Sequence, residues 1–398
     1  MDEVKYRSWV AHRQGLIGTR FSTAREALKT AGWQRSVGGV SPYLAIKARS
    51  GEGRQTVDSL AVSLELFELP SARACTYLLP ADHFALGLAV AKPHSGSTEL
   101  STARKLGCLE EEIDALKLGV AAALKSGPLS PADMKPKLGN LVRSFGEEGK
   151  KKGLTTSLPL ALSLLQTDGV IRRKPANGRL DTQRYDYELW DPPITDMPDA
   201  ETAARELAIQ YFSWAGAATL KEFREFSLLS VKAAQAALTS SGVHAFEAGT
   251  DLLSFPDASA EYAEYTPPTT PDYRFVGSMD SFLLNRRGSR FWLAESDQAN
   301  QAPTEKGLKN AGELTELSCH GILDRGRLVG LWEFDSVAGE LVWMSWVKHT
   351  DALLAAAAQT EKYVQEELGD ARSFSLDSPK SREPKLLALR HLRDEASA

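Results

Sequence analysis

The stretch GWQRSVGGVSPYLAIKAR, residues 32 to 49, sets Trp33, Gln34, Arg35 and Ser36 at a sharp break in the chain. A glycine that closes a helix precedes them, and two more glycines and a proline follow. A core helix would not need this polar trio. A carboxamide and a hydroxyl each donate and accept hydrogen bonds, so Gln34 and Ser36 are residue types able to hold a small polar group such as a water. They lie on one face only if the backbone is extended, as it would be just past a helix.

A second set of chemically capable residues is basic. From Lys150 to Arg184, eight Lys and Arg residues stand against Asp168 and Asp181. Among them are Arg172, Arg173, Lys174, Arg179 and Arg184. Phosphate backbones are bound by such clusters, so their placement outweighs the net charge of -5. From Phe246 to Tyr265 the chain is acidic instead, with no Lys or Arg. Arg286, Arg287 and Arg290 form a further basic group in NRRGSR, a Gly-containing loop that either grips DNA or is a charged turn. Asp82 and His83 follow Pro80, where an Asp before an apolar run reads as a helix cap.

Other chemistries lack their motifs. GxxxxGK[ST], GxGxxG in a strand-to-helix setting and GxSxG are all missing. The histidines show no metal spacing. Cys75, Cys108 and Cys319 are far apart, which fits a reducing compartment and neither a disulfide frame nor a metal site. No metal or cofactor is expected. The N-terminus MDEVKYRSWV is charged from its second residue, which predicts no secretory signal, and no apolar run would span a membrane. A cytoplasmic, nucleoid-associated protein is the expectation.

The elements that must position these residues repeat a plan. LALSLLQTDGVIRR and KAAQAALTSSGVHAF are apolar-periodic helices ending in Gly-Val, each preceded by a shorter helix and followed by strand-like sequence. Ser130 and Pro131 mark one helix start. GVIRRKPANGRLDTQRYDYELW reads as two strands around the turn at Pro175 to Gly178. This is the order of a helix-turn-helix with a wing, and the basic residues fall on the wing. The N-terminal segment is a looser copy, with Thr23 and Glu26 as a capping box, VDSLAVSLELF as a helix and ARACTYLLP as a strand. Beyond YTPPTTPD the chain alternates apolar and polar residues around Gly turns, which predicts a small barrel or curled sheet.

At 398 residues the chain suits several domains. The fold class expected is α+β, mainly α. Tandem winged helices span 1–94, 95–193 and 194–266, a β-barrel-like domain spans 267–348, and a helix with a polar arm spans 349–398.

This plan resembles the bacterial winged-helix DNA glycosylases of the AlkZ type. GWQRSVGGVSPYLAIKAR is similar in length and flanks to that family's motif, which begins Gln-x-Gln or Gln-x-Asp. RACTYLLPADH, YFSWAGAATLKEFREFSLLSVKAAQAAL, MDSFLLNRR and HGILDRGRLVGLWEF resemble further family segments, in the family's order and spacing. The resemblance implies hydrolysis of the N-glycosidic bond of purines alkylated at N7 or N3, including unhooking of crosslinks, by a monomer acting on double-stranded DNA. It implies that Gln34 and Ser36 are catalytic, holding a water beneath the sugar C1'. Ser36 departs from the family pattern and carries no charge. Asp82, His83 and Tyr77 are the accessory candidates, and Tyr77 falls where the family often has His. Arg35 and the basic residues named above would contact DNA. The alternative is a non-catalytic DNA-binding protein on the same scaffold, which needs nothing from Gln34 or Ser36.

Overall fold

The computed structural model describes residues 2–397 apart from Thr19, Gln183, Arg287, Ser289 and Arg290. Helix α1 (Glu3–Arg13) is capped by Asp2, whose carboxylate accepts from the Val4 and Lys5 amides. Helix α2 (Ala24–Ala31) starts at Thr23, whose hydroxyl accepts from the Glu26 amide at 3.1 Å. The Glu26 carboxylate reaches back to the Ser22 amide at 2.8 Å. Gly32 ends this helix with φ +100°, and a Cβ there would sit 3.0 Å from Trp214. The break therefore needs glycine on both conformational and steric grounds.

Past the break the chain is extended as β1 (Gln34–Arg35) and then enters α3 (Ser41–Ser50) and α4 (Arg54–Val62). VDSLAVSLELF, expected as one helix, is divided. It leaves helix after Val62, and Leu66–Pro70 becomes β2. Both faces of β2 are covered, so apart from Glu68 its residues read as an apolar run, which periodicity cannot separate from a buried helix. β3 (Thr76–Pro80) lies between β1 and β2 in an antiparallel sheet of order β1-β3-β2.

The expected helix, helix, hairpin order is present in the middle of the chain. Helix Pro131–Leu138 starts at the Ser130 cap, helix Leu158–Thr167 follows, and then come β4 (Ile171–Pro175) and β5 (Tyr185–Leu189). The Pro175–Gly178 turn forms, with the Gly178 amide on the Pro175 carbonyl at 3.1 Å. The chain makes a further excursion before Tyr185, so the connection is longer than one turn. Helices Leu220–Ser227 and Val231–Ser241 lie between β6 (Ala217–Thr219) and the pair β7 (His244–Ala245) and β8 (Leu252–Ser254).

The last sheet runs β14-β13-β12-β9, from Glu340–Ser345, Arg327–Asp335, His320–Asp324 and Tyr273–Val276. β10 (Gln301–Thr304) and β11 (Gly307–Asn310) pair separately. The barrel expectation is corrected here. Among the described residues β14 and β9 do not pair, and the four-stranded sheet stays open. Helices cover both of its faces instead. Leu323, Leu331 and Met344 pack with Trp9 of α1 and with Leu386 and Leu389, while Ile322, Trp332 and Phe334 pack with Leu44, Leu353 and Tyr363. The polar C-terminal arm is also a helix, Pro379–Ser397. Its buried stripe of Leu386, Leu389 and Leu392 is narrow and sits among charges.

The hydrophobic cores cross the expected segment boundaries. Trp33, Phe67 and Tyr77 share a core with Tyr211, Trp214 and Phe226. Among the described residues, only 95–193 enclose clusters of their own.

Candidate active site

The β1-β3-β2 register decides which side chains can act together. Gln34 is opposite Leu78, and Leu78 is opposite Glu68. Opposed residues share a face, and the face alternates along each strand. Gln34, Ser36, Thr76 and Glu68 therefore lie on one side. Arg35 and Tyr77 lie on the other, toward the core that holds Trp33.

Ser36 stands at the end of β1, where its amide donates to the Thr76 carbonyl at 3.0 Å. Its hydroxyl donates to Glu68 Oε1. Glu68 is only 4% exposed. Burial holds its carboxyl above the ordinary range, and the Arg173 charge and the Ser36 hydroxyl pull it partly back. Ser36, Thr76, Arg173, Thr182, Tyr185 and Ser375 line a cavity of about 170 Å³. Arg173 reaches it from β4, donating to Thr76 Oγ1 at 3.1 Å with its guanidinium over the Tyr185 ring. A neighbouring cavity of about 400 Å³ meets this one at Thr182 and holds Arg179, Arg184 and Arg372.

The paired glycines of the motif are explained by what crosses them. The Val40 amide donates to the Arg372 carbonyl, and the Ser375 amide donates to the Val37 carbonyl. A Cβ on Gly39 would lie 2.1 Å from the Ser373 carbonyl oxygen. Only glycine lets residues 372–375 close over the loop and wall the cavity.

Gln34 does not line this cavity. It is 1% exposed. Its Nε2 donates to the Gly32 carbonyl at 3.1 Å and to Ser281 Oγ at 2.7 Å, and its Oε1 accepts from the Ser281 amide at 3.1 Å. The carboxamide thus fastens β1 to the segment after Asp280. Arg49, at the far end of the motif, meets the same segment. It makes two 2.6 Å hydrogen bonds to the Asp280 carboxylate, with both side chains fully buried. Asp280 also caps the turn that follows, accepting from the Phe282 amide.

The accessory candidates are elsewhere. His83 Nδ1 accepts from Trp33 Nε1 at 2.9 Å, and burial lowers its pKa, so it is a neutral brace for the indole. Asp82 caps no helix. It pairs with Lys29 at 2.5 Å and Arg25 at 3.8 Å on the surface of α2. Tyr77 packs between Trp33 and Phe226.

The basic residues divide in the same way. Arg286, expected at the DNA, is 3% exposed. Its guanidinium donates to the Tyr6 hydroxyl and to the carbonyls of Ala215 and Ala217. That surface reading is corrected, because an apolar run ending in Arg said nothing of the carbonyls waiting for it. Arg287 and Arg290 lie outside the described residues. Arg172 pairs with Glu188 at 2.8 Å beneath Trp190, and Arg179 grips Asp181. Lys174 and Arg184, on and beside the β4-β5 hairpin, face solvent. Glu68, Arg372 and Ser281 were not read from the sequence. Of these Glu68 left a signal, a lone acid inside the apolar strand LFELP. Among the described residues no three His, Cys, Asp or Glu side chains gather to hold a metal ion.

The comparison that decides the family is a model of AlkZ-like DNA glycosylases, which matches residues 35–374. The chain belongs to the AlkZ-like DNA glycosylase family. A similar solved structure is the Streptomyces sahachiroi DNA glycosylase AlkZ, with a TM-score of 0.66 at 20% identity, covering 93% of this chain and 97% of that one. At that identity the likeness speaks for the shared fold. Among curated proteins none matches the chain. Membership supports a DNA-repair glycosylase role and DNA as the partner. No helix among the described residues is long and apolar enough to cross a membrane.

Proposed function

We propose that this chain hydrolyses the N-glycosidic bond of purines alkylated at N7 or N3 in double-stranded DNA, with the Ser36 cavity as its reaction site. The observation that carries this reading is that Ser36, from the family motif, and Arg173, from the basic hairpin, line one cavity. Purines alkylated at these positions carry positive charge and leave readily. The enzyme needs chiefly to place a water at C1' and to stabilise an oxocarbenium-like transition state. Ser36 offers a hydroxyl for that water. Gln34, fixed to Ser281, holds the strand that presents Ser36. Arg184 and Lys174 on the exposed hairpin would take phosphates, and Arg173 would hold the strand near the sugar. The protein acts as a monomer in this reading, in the cytoplasm at the nucleoid, and it needs no cofactor.

One observation favours the non-catalytic alternative. The carboxamide of Gln34 is engaged within the protein, so the first motif residue is not free for a water. The two readings separate on duplexes carrying one N7-methylguanine or one N7-linked nitrogen-mustard crosslink. Strand cleavage after mild alkali reports the abasic site. Release above the spontaneous rate on either substrate supports the glycosylase. Tight, salt-sensitive binding without release on both supports the non-catalytic protein.

A further inference from the structure

We propose that Glu68 is the positioning carboxylate of this site, holding the Ser36 hydroxyl and receiving its proton as a cavity water attacks the sugar. The inference rests on the glycosylase reading and names the group that makes Ser36 effective. Glu68 stands on the same sheet face as Ser36, one strand beyond β3, and its Oε1 accepts from the Ser36 hydroxyl. That hydrogen bond commits the Ser36 proton to the sheet and leaves the oxygen's lone pairs for the cavity it lines.

A purely structural role does not account for this carboxylate. Burying an ionisable group in an apolar strand is costly unless a contact ion pair compensates it. Among the described residues Glu68 makes no ion pair; its hydrogen-bond partner is the Ser36 hydroxyl. The charged and titratable groups that act on it come from the hairpin and its loop, namely Arg173, Asp181 and Tyr185. Ser36 and Arg173 line one cavity, and Glu68 backs it through the Ser36 hydroxyl. Burial raises the carboxyl's affinity for a proton, which suits a group that takes one up.

The step balances. The water oxygen bonds to C1' as the bond from C1' to N9 breaks. The electron pair leaves with the purine and cancels its positive charge. The water gives a proton to Ser36 Oγ while the Ser36 proton passes to Glu68 Oε1. An abasic sugar and a protonated Glu68 remain, and solvent removes that proton.

The test is single-turnover base release from an N7-methylguanine duplex at a series of pH values, using wild type, Ser36→Ala, Glu68→Gln and the double variant. Glu68→Gln keeps the shape and an acceptor for Ser36 but cannot take the proton. Its rate is expected to fall about 100-fold, within the usual range for a lost proton-transfer group. Its DNA affinity should stay within about twofold, since the change removes no DNA contact in this reading. The double variant should be no slower than the slower single variant, because the two residues act as a unit. Wild type should lose activity toward acid pH as Glu68 becomes protonated. A Glu68→Gln rate near wild type, or losses that multiply in the double variant, overturns the inference and leaves the glycosylase standing. A flat acid limb in wild type overturns it without any variant. No release by wild type overturns both readings.

Discussion

Gln34 and Ser281 hold each other by two hydrogen bonds, the Gln34 amide donating to Ser281 Oγ at 2.7 Å and the Ser281 backbone amide returning one to Gln34 Oε1 at 3.1 Å. This contact joins the motif strand to the segment that leads into the last sheet, and it fixes where Ser36 stands. Removing Gln34 would leave the buried Ser281 amide and the Gly32 carbonyl short of partners, at about 1–3 kcal/mol each, while Ser281 Oγ keeps the Ala31 carbonyl. Gln34→Ala should therefore lower the thermal midpoint by several degrees, and base release should fall with it. A variant with wild-type stability and no release would mean that Gln34 touches the reactants directly.

Arg49 and Asp280 form a fully buried, two-bond ion pair. Breaking such a pair leaves an uncompensated buried charge and costs about 3–5 kcal/mol. Asp280→Asn and Arg49→Met should each lower the unfolding free energy from urea melts by that much. The double variant Arg49→Met with Asp280→Leu should be less destabilised than the sum of its parts. Additive losses in urea melts would argue against the pair as a unit.

Lys174 and Arg184 are the exposed cations of the hairpin region; Arg172 is held by Glu188 at 2.8 Å, and Lys174 reaches the same carboxylate at 3.5 Å. Arg184→Ala should weaken binding to duplexes of any sequence and reduce the slope of log affinity against log salt by about 1. Arg172→Ala should leave that slope unchanged and reduce stability instead. Fluorescence anisotropy over a salt series separates the two, and equal slopes for Arg184→Ala and wild type would remove Arg184 from the interface.

Two buried groups of the last sheet contribute opposite pH dependences to stability. Glu333 is held up to about 7 by burial, from 4.5. Its contribution is complete below 4.5 and is lost as pH rises through 7, because the unfolded chain gives up that proton first. His320 is driven down to about 4 by burial. It accepts from the Ser278 amide through Nδ1 and meets the Ala371 carbonyl through Nε2, which suits the neutral ring. Its contribution is complete above 6.5 and is lost as pH falls through 4. Glu333→Gln should raise stability at pH 8, by at most about 3 kcal/mol, and change little at pH 4.5. Calorimetry at both values checks this, and an equal effect at the two would show that Glu333 does not titrate in the window.

What could be read from the sequence was local. Thr23 with Glu26, Ser130 with Pro131, and the Gly169 and Gly242 helix ends are set by neighbours a few residues away, and they stand as read. The extended step that puts Gln34 and Ser36 on one face follows from Gly32. The unread features are long-range. Glu68 becomes a partner of Ser36 only through the β1-β3-β2 register, and Arg286 becomes a buried brace only because the Ala215 and Ala217 carbonyls converge on it. Of the small barrel or curled sheet expected, the barrel does not close, because alternation along a strand does not say whether helices or more strands cover its faces.

The most direct measurement is the appearance of free 7-methylguanine, detected by mass spectrometry, when excess protein meets a duplex carrying one N7-methylguanine, with Ser36→Ala beside wild type. The account predicts free base and an unbroken phosphodiester backbone from wild type, with release about 100-fold slower from the variant. Free base no faster than in buffer alone, from a protein that still binds the duplex, would contradict it.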